Sequence, residues 1–325
     1  MYKKHDSFVA IKHKEDKKIN LAINRIAKVA KDSSKLQKLS LPSQKIFKKA
    51  HNDIQDKEET NEKNKFKLKS NVIAEIDTIE DKDLPRYLVH RYRYEIFPET
   101  KTIDDFPPYL QIEPTSICNY RCVFCFETDK TFTNKKNGHM GQMSLDLFKK
   151  VIDQAEGNIE FISLASRGEP LICPDIIKML EYTRGKFLNL KINTNASLLD
   201  EKKCHAILSG GVKTIVFSAD AASEPLYSKL RVNGNLEKVL KNIENFKKIH
   251  ETEYSSNPII TRVSGVKFDN SQDLKSMEKF WGNLVDQVAF VNYNPWKIRM
   301  IKNQIILKLP VPICGEECSF GGMEK

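Results

Sequence analysis

The decisive stretch of the sequence is residues 109–125, which read YLQIEPTSICNYRCVFC. It begins with a short apolar run from Tyr109 to Glu113, which predicts a β-strand, and it ends with thiols at Cys118, Cys122 and Cys125. A [4Fe-4S] cluster normally takes four thiolates, so three of them leave one iron open to another ligand. The C-x3-C-x2-C spacing therefore favours such a cluster.

Other uses of the three thiols stay open at this point. Structural zinc needs a fourth ligand, and the nearest candidate is His139, in a segment that contains Gly138 and Gly141. Packed free thiols are a further alternative. A disulfide would leave one of the three cysteines unpaired, and the seven cysteines of this 325-residue chain form no secreted disulfide pattern. We expect a reduced, cytoplasmic protein without a membrane span, because no apolar run approaches about 18 residues.

The rest of the chain alternates between strand and helix patterns, which predicts the fold. Such a β/α series with right-handed crossovers predicts an α/β fold, a partial (β/α)6 TIM-like barrel with its chemistry on loops at the carboxyl ends of the strands. The predicted helix N-caps are Ser144, Asp175 and Asp200. The predicted strands are 109–113, 160–165, 188–193, 214–218, 259–265 and 287–292, and the predicted helices are 144–154, 175–186, 200–209, 235–251 and 274–283.

The net charge of +10 comes from one end of the chain. Of the 53 basic and 43 acidic residues, 19 and 9 lie within residues 1–70, and the remainder is balanced. This composition predicts a segment that buries little surface, partly helical or disordered. Apolar residues at helical spacing (Ile19, Ile23, Ile26, Ala27 and Ala30) predict a basic amphipathic helix. It would dock a partner, RNA or an acidic membrane, or lie on its own catalytic domain.

Four regions follow from these patterns. We predict a basic Lys-rich extension over residues 1–70, whose part from His51 to Ser70 is charged throughout and indicates a linker. A linker and helix over 71–105 lead into the barrel, which covers 106–300. The remaining residues, 301–325, form a C-terminal tail.

At the cysteine motif the sequence resembles the radical SAM superfamily, whose signature is C-x3-C-x2-C with an aromatic residue, here Phe124, before the last cysteine. The resemblance covers roughly residues 106–295. It implies a [4Fe-4S] cluster on the three cysteines and S-adenosylmethionine (SAM) on the open iron. Relatives cleave SAM with an electron from the reduced cluster, and the resulting 5′-deoxyadenosyl radical abstracts hydrogen from a substrate.

Further motifs match the family residue by residue. Gly168, Glu169 and Pro170 resemble its GGEP motif, with Arg167 in place of the first glycine, and the resemblance implies that Glu169 and the neighbouring backbone receive the SAM ammonium. Glu169 and Gly168 meet that demand as an anionic acceptor and a closely approaching backbone.

Two later turns complete the match. Thr194-Asn195-Ala196 resembles the TNG turn, with Ala196 in place of glycine, so Asn195 would reach the SAM ribose or cap the turn. Ser218-Ala219-Asp220-Ala221 resembles the S-x-D-[GA] motif. By that match Ser218 would bind a ribose hydroxyl and Arg231 the SAM carboxylate, unless Arg231 only forms a salt bridge on a helix face. Asp220 would orient Arg231 or act on substrate.

The tail resembles the opening of a SPASM or twitch module, which carries auxiliary clusters, because Cys314 and Cys318 follow Pro310 and Pro312. Two thiols complete no cluster, so we expect a truncated module and a single cluster per chain. Cys173 and Cys204 are expected to be structural thiols.

The resemblance implies a radical SAM enzyme that acts on a peptide, a carbohydrate or another small molecule, with a small electron donor such as flavodoxin or ferredoxin. Two alternatives come from other classes. The chain would be a non-catalytic iron-sulfur protein that binds SAM without cleaving it, or an RNA-modifying enzyme whose arm, residues 1–70, binds RNA in a salt-dependent way.

Overall fold

The computed structural model describes residues 8–9, 15–56, 64–293, 298–301 and 304–307. Four longer helices come first: α1 (Glu15–Ala30), α2 (Leu41–Gln55), α3 (Ser70–Ile76) and α4 (Leu84–Thr100). The short helix Ser33–Leu36 joins α1 to α2. No helix among the described residues is both long enough and apolar enough to span a membrane.

Six parallel strands form the central sheet, and each pairs with the next one along the chain. They are β1 (Tyr109–Ile112), β2 (Phe161–Leu164), β3 (Asn189–Thr194), β4 (Val212–Ser218), β5 (Ile260–Lys267) and β6 (Gln287–Asn292). The registers place Tyr109 opposite Phe161, Phe161 opposite Asn189 and Arg262 opposite Gln287. A short strand, Phe8–Val9, adds to β6 in the antiparallel sense. This order confirms the predicted partial (β/α)6 barrel.

One longer helix crosses between each pair of neighbouring strands: α5 (Leu145–Ala155), α6 (Ile176–Thr183), α7 (Glu201–Ser209), α8 (Leu236–Glu253) and α9 (Leu274–Gly282). The first and fourth connections also contain the short helices Lys130–Thr133 and Leu226–Leu230. The apolar faces of the longer helices pack on the sheet and form the main core. Its fully buried members include Phe148, Ile152, Met179, Ile207, Phe246 and Trp281. Beyond β6, Ile298–Ile301 and Gln304–Leu307 form an antiparallel hairpin. Cys314 and Cys318 lie outside the described residues.

Two of the three predicted helix caps are confirmed. The Ser144 hydroxyl accepts from Leu147 N at 3.2 Å and the Asp200 carboxylate from Lys203 N at 2.9 Å. Asp175 stands at the N-cap of α6 without a capping hydrogen bond, because its backbone is not extended and its carboxylate pairs with Lys178 Nζ at 2.9 Å. The predicted helix to residue 186 ends at Thr183, ahead of Gly185 with its φ of 73°.

The expectation that the first 70 residues bury little surface is wrong for the part that the structure describes. The side chains of Ala22, Ile26, Val29, Phe47 and Ala50 are at most 2% exposed. They join the apolar faces of α3 and α4 in a second core, which we call the cap core, and it includes Phe161 and Leu188 from the barrel.

The predicted linker over residues 51–70 is also partly wrong. Helix α2 continues to Gln55, and Phe66 is buried in the cap core. Asp53 of α2 accepts a hydrogen bond from Phe66 N at 3.0 Å, and this bond holds the backbone at Phe66 against α2. The predicted amphipathic helix is confirmed as α1. Its Arg25 donates to Ile76 O at 2.8 Å and Ile79 O at 2.7 Å, so this cation caps the carboxyl end of α3.

Candidate active site

The three cysteines lie in the loop between β1 and α5, at the carboxyl end of β1. Cys122 sits in a two-residue strand, Arg121–Cys122, that pairs with Arg231–Val232 in the antiparallel sense. Cys125 N donates to Cys122 O at 2.9 Å, which closes a turn between these two cysteines. The loop is therefore shaped by its own hydrogen bonds and by a strand that follows β4.

Burial controls the chemistry of the three thiols. It raises the pKa of Cys118 to about 12 and that of Cys125 to about 11. Burial also raises the pKa of Cys122, whereas the nearby Arg231 lowers it. These thiols are thus neutral near pH 7, and a bound metal ion would convert them to thiolates, because a coordinating thiol loses its proton outright.

Gly168 brings the loop after β2 into direct contact with the cysteine loop. A Cβ atom at this position would lie 2.2 Å from Thr115 O and 2.7 Å from Ile117 O. The next residue, Glu169, donates its N–H to Ile117 O at 2.9 Å. The sequence predicted a closely approaching backbone here, and the backbone that approaches is the one leading into Cys118.

Glu169 is 3% exposed, and its carboxylate accepts three hydrogen bonds from the protein. They come from Thr194 Oγ1 at 2.6 Å, Asn195 N at 2.7 Å and Leu171 N at 3.1 Å. Burial raises the pKa of Glu169, and these three hydrogen bonds act to lower it. An ionised carboxylate has about four acceptor positions, so roughly one is left for a ligand.

Pro170 follows as the first residue of a short 3-10 helix, Pro170–Ile172, which Glu169 caps. The missing N–H of proline costs nothing at the first helical position. The Gly-Glu-Pro sequence thus combines a close approach, a cap and a helix start.

Asn195 belongs to a closed ring of hydrogen bonds with Asn119 and Ser197. Asn195 Nδ2 donates to Asn119 Oδ1 at 2.9 Å, Asn119 Nδ2 donates to Ser197 Oγ at 2.9 Å, and Ser197 Oγ donates to Asn195 Oδ1 at 2.6 Å. Of the two roles predicted for Asn195, turn capping is the one that these contacts show. Sequence analysis missed Asn119 and Ser197, because nothing local marks two polar side chains 78 positions apart as partners.

Ala196 stands where the resembled turn has glycine, and its backbone keeps the left-handed conformation, with φ at 61°. This conformation costs a residue with a Cβ on the order of 1 kcal/mol. The methyl group is fully buried in the main core. Burial of that methyl group offsets part of the backbone strain.

Arg231 lies beside the cysteine loop, and Asp220 holds it there. The distance from Arg231 Nε to Asp220 Oδ2 is 2.5 Å, and Arg231 Nη1 lies 3.8 Å from Cys122 Sγ. Of the two roles expected for Asp220, this contact is consistent with orienting Arg231, and the pair is buried, not on a helix face. Ser218 ends β4 on the same side of the sheet and lies opposite Ser264 of β5.

Phe124 packs partly buried against the main core, with its ring centroid 6.0 Å from that of Phe268. His139, the candidate fourth zinc ligand, stacks on Phe132 at 5.6 Å instead. Among the described residues, no three His, Cys, Asp or Glu side chains form a group that could hold a single metal ion. Cys173 and Cys204 are buried in the main core, as predicted.

These contacts bring most of the predicted residues together on loops at the carboxyl ends of β1 to β4. The fit to a cluster rests on donor chemistry, since three thiols share one loop, with Cys122 buried and Cys118 and Cys125 partly buried, and a buried cation lies beside Cys122. A parallel β/α sheet with such a loop after its first strand defines a class of enzyme that binds a metal cluster above the barrel.

The chain belongs to the radical SAM superfamily, whose family model matches residues 112–280. The enzymes of this family use a [4Fe-4S] cluster and SAM.

Individual relatives match only part of the chain. A GTP 3′,8-cyclase from Clostridium botulinum is 29% identical over 178 residues, which are 53% of this chain and 52% of that protein. A tungsten-containing aldehyde ferredoxin oxidoreductase cofactor-modifying protein from Pyrococcus furiosus is 32% identical over 114 residues, which are 34% of this chain and 30% of the relative. The chain thus spans about half or less of the length of these relatives.

Solved structures resemble the fold at low identity. The Streptococcus suis SuiB structure with bound S-adenosylmethionine has a TM-score of 0.48 and 20% identity, and the match covers 70% of this chain and 50% of SuiB. The anSMEcpe structure with bound AdoMet has a TM-score of 0.47 and 20% identity, over 59% of this chain and 53% of anSMEcpe.

Proposed function

We propose that the chain is a radical SAM enzyme in which Cys118, Cys122 and Cys125 hold the [4Fe-4S] cluster. The observation that carries this proposal is the joining of the three-thiol loop to the turns after β2, β3 and β4. Gly168 contacts the loop through its backbone, Asn195 through Asn119, and Arg231 through Cys122. Three thiolates leave one iron open for SAM.

When bound, the cluster and SAM supply reductive cleavage to methionine and a 5′-deoxyadenosyl radical, which takes a hydrogen atom from substrate. This chain's own residues bind and orient the two cofactors. We propose that Phe124 and the Gly168-Glu169-Pro170 loop flank SAM and that Glu169 offers its remaining acceptor position to the SAM ammonium. Asn195 and Ser218 are the proposed ribose contacts, and Arg231 the proposed partner of the SAM carboxylate.

We extend the proposal to the domains and the partners. Residues 106–300 form the radical SAM core, and residues 301–325 a SPASM- or twitch-like tail. The proposed substrate is a peptide, a carbohydrate or another small molecule. Each cleavage consumes one low-potential electron, so a small donor protein such as flavodoxin or ferredoxin is required.

The test is anaerobic reconstitution of the full chain with iron and sulfide, followed by SAM and dithionite. We expect about four iron per chain and release of 5′-deoxyadenosine. Replacement of Cys118, Cys122 or Cys125 by Ala should abolish that release. Cys204→Ala is the matched control, because Cys204 is fully buried in the main core and should leave iron content unchanged.

Two outcomes would contradict the proposal. Full 5′-deoxyadenosine release from any of the three loop variants would remove that cysteine from the cluster. SAM binding without any cleavage by the reconstituted parent would instead support a non-catalytic iron-sulfur protein.

A further inference from the structure

Arg231 is a buried cation whose guanidinium faces a sulfur atom. Its side chain is 7% exposed, and Nη1 lies 3.8 Å from Cys122 Sγ, within the range of a weak hydrogen bond to sulfur. The two residues also pair through their backbones in the short antiparallel ribbon. The side chain is therefore fixed beside Cys122 at both of its ends.

Asp220 fixes the guanidinium from the other side. Its Oδ2 lies 2.5 Å from Arg231 Nε, and its Oδ1 accepts from Val266 N at 2.5 Å. Gln272 Nε2 donates to Asp220 O at 2.7 Å, which holds the backbone of the same residue. Asp220 is 0% exposed, so it cannot swing into solvent without unfolding the loop. Arg231 Nε forms the ion pair with Asp220, and Arg231 Nη1 is the guanidinium atom that contacts Cys122 Sγ.

We propose that Arg231 donates a charge-assisted hydrogen bond to the Cys122 sulfur of the cluster and makes the cluster easier to reduce, with Asp220 as its positioning residue. This inference rests on the proposed function, and it adds a role to Arg231 that is independent of SAM. Reduction adds one negative charge to the cluster, and a desolvated positive charge in contact with a ligand stabilises the reduced state more than the oxidised one. Asp220 opposes this effect in part, but Arg231 is the partner in contact with the sulfur and has the larger influence on Cys122.

The other loop sulfurs have different surroundings. Cys118 Sγ accepts a long backbone hydrogen bond from Tyr120 N at 3.4 Å. Arg121 donates to the carbonyl oxygens of Cys118 and Tyr120, both at 2.7 Å, and its side chain is 41% exposed. Solvent screens such an exposed charge. Arg121 is therefore the matched control. It carries the same charge as Arg231 and lies in the cysteine loop, but it makes no contact with sulfur among the described residues.

The experiment measures the cluster's midpoint potential by redox titration followed by electron paramagnetic resonance, without SAM. The parent, Arg231→Gln, Arg231→Lys and Arg121→Gln are compared at equal iron content. In Arg231→Gln we expect the reduction equilibrium constant to fall about tenfold, which is a shift of about 59 mV to more negative potential for one electron. Arg231→Lys should recover most of the shift, and Arg121→Gln should change the constant less than threefold.

A second measurement does not depend on how well Arg231→Gln folds. In the parent protein labelled with 15N in the arginine guanidinium groups, pulsed electron paramagnetic resonance of the reduced cluster should detect a 15N coupling. The coupling should persist in Arg121→Lys and disappear in Arg231→Lys. Absence of the coupling in the parent, or its loss in Arg121→Lys, overturns the inference.

The failures of the two proposals are distinguishable. A parent that takes up no iron refutes the proposed function and this inference with it. A parent with four iron, whose midpoint is unchanged by Arg231→Gln or is shifted as much by Arg121→Gln, refutes the role of Arg231 alone.

Discussion

At Gly168 the absence of a side chain allows the loop after β2 to lie against the chain that leads into Cys118. Gly168→Ala would place a methyl group inside the radii of two backbone carbonyl oxygens, at 2.2 Å and 2.7 Å. Backbone cannot rotate away as a side chain does, so one of the two loops must move. We expect a loss of about 3 kcal/mol of unfolding free energy and a reduced iron content after reconstitution.

Gly141→Ala is the matched control for this substitution. Gly141 O accepts from Ser116 N at 3.0 Å in the same loop, but an added Cβ there meets nothing within 4 Å. Urea unfolding and iron analysis compare the stability and the iron content of the two variants. Equal behaviour of the two variants would contradict the steric argument.

Glu169 accepts three hydrogen bonds that the sequence did not show, and two of them, from Thr194 and Asn195, link the turn after β2 to the end of β3. The family resemblance indicated a SAM contact, and that stays a prediction. Glu169→Ala should weaken SAM binding by on the order of 2 kcal/mol. It should also lower the unfolding free energy of the metal-free chain by about 3 kcal/mol, because three buried donors lose their acceptor.

The matched control for Glu169→Ala is Glu156→Ala, because the Glu156 side chain is 46% exposed. We expect Glu156→Ala to lower the unfolding free energy by less than about 0.5 kcal/mol. Denaturant titration of the metal-free proteins gives the unfolding free energies, and calorimetry with SAM gives affinity. Weaker SAM binding with unchanged stability would show that the three protein contacts contribute little.

At the scale of elements, local pattern was enough for the strands and insufficient for the helices that precede them. The six predicted strands each lie within two residues of the observed bounds, because apolar runs of strand length recur at βα spacing. The burial of α1 depends on contacts such as Arg25 with the carbonyl of Ile76, which is 51 positions away. No local pattern identifies which distant carbonyl a cation will meet.

The contact between α4 and the barrel depends on the charge of one histidine. His90 is 3% exposed and stacks on Phe161 of β2 at 3.8 Å with an angle of 6° between the rings. Burial, and then the nearby Arg91, lower the pKa of His90 well below the ordinary histidine value of 6.5. The folded chain therefore keeps this ring neutral in mildly acidic solution, whereas the unfolded chain protonates it.

The sign of the pH effect follows from this difference. Above the unfolded pKa of 6.5 both states hold a neutral ring, and as the pH falls below it only the unfolded state gains a proton. As the pH falls from about 6.5 to 5, His90 should therefore lower the unfolding free energy by up to about 1.4 kcal/mol per pH unit. Unfolding curves of the parent and His90→Phe over this range should show a shallower pH slope in the variant. Equal slopes would mean that another group controls acid stability.

For the whole molecule, we predict a single cluster per chain from the positions of the seven cysteines in the sequence. Three lie in the cysteine loop, and Cys173 and Cys204 are 2% and 0% exposed within the main core. A second cluster needs about four ligands, and Cys314 and Cys318 supply two. The double variant Cys314→Ala, Cys318→Ala should keep the iron content and SAM cleavage of the parent. A loss of about two to four iron would show that these two thiols ligate metal.

The match to the family begins at residue 112, and we expect a barrel cut at that residue to be less stable than the full chain. Phe161 and Leu188 belong to the cap core, and Tyr87 and His90 of α4 pack on the Phe161 ring. A fragment cut to the region that the family model matches would expose the apolar surface around Phe161 and Leu188 to water, and we expect it to aggregate. We therefore expect expression, crystallisation and fusion fragments that begin ahead of α1 to be more soluble than fragments cut at residue 112.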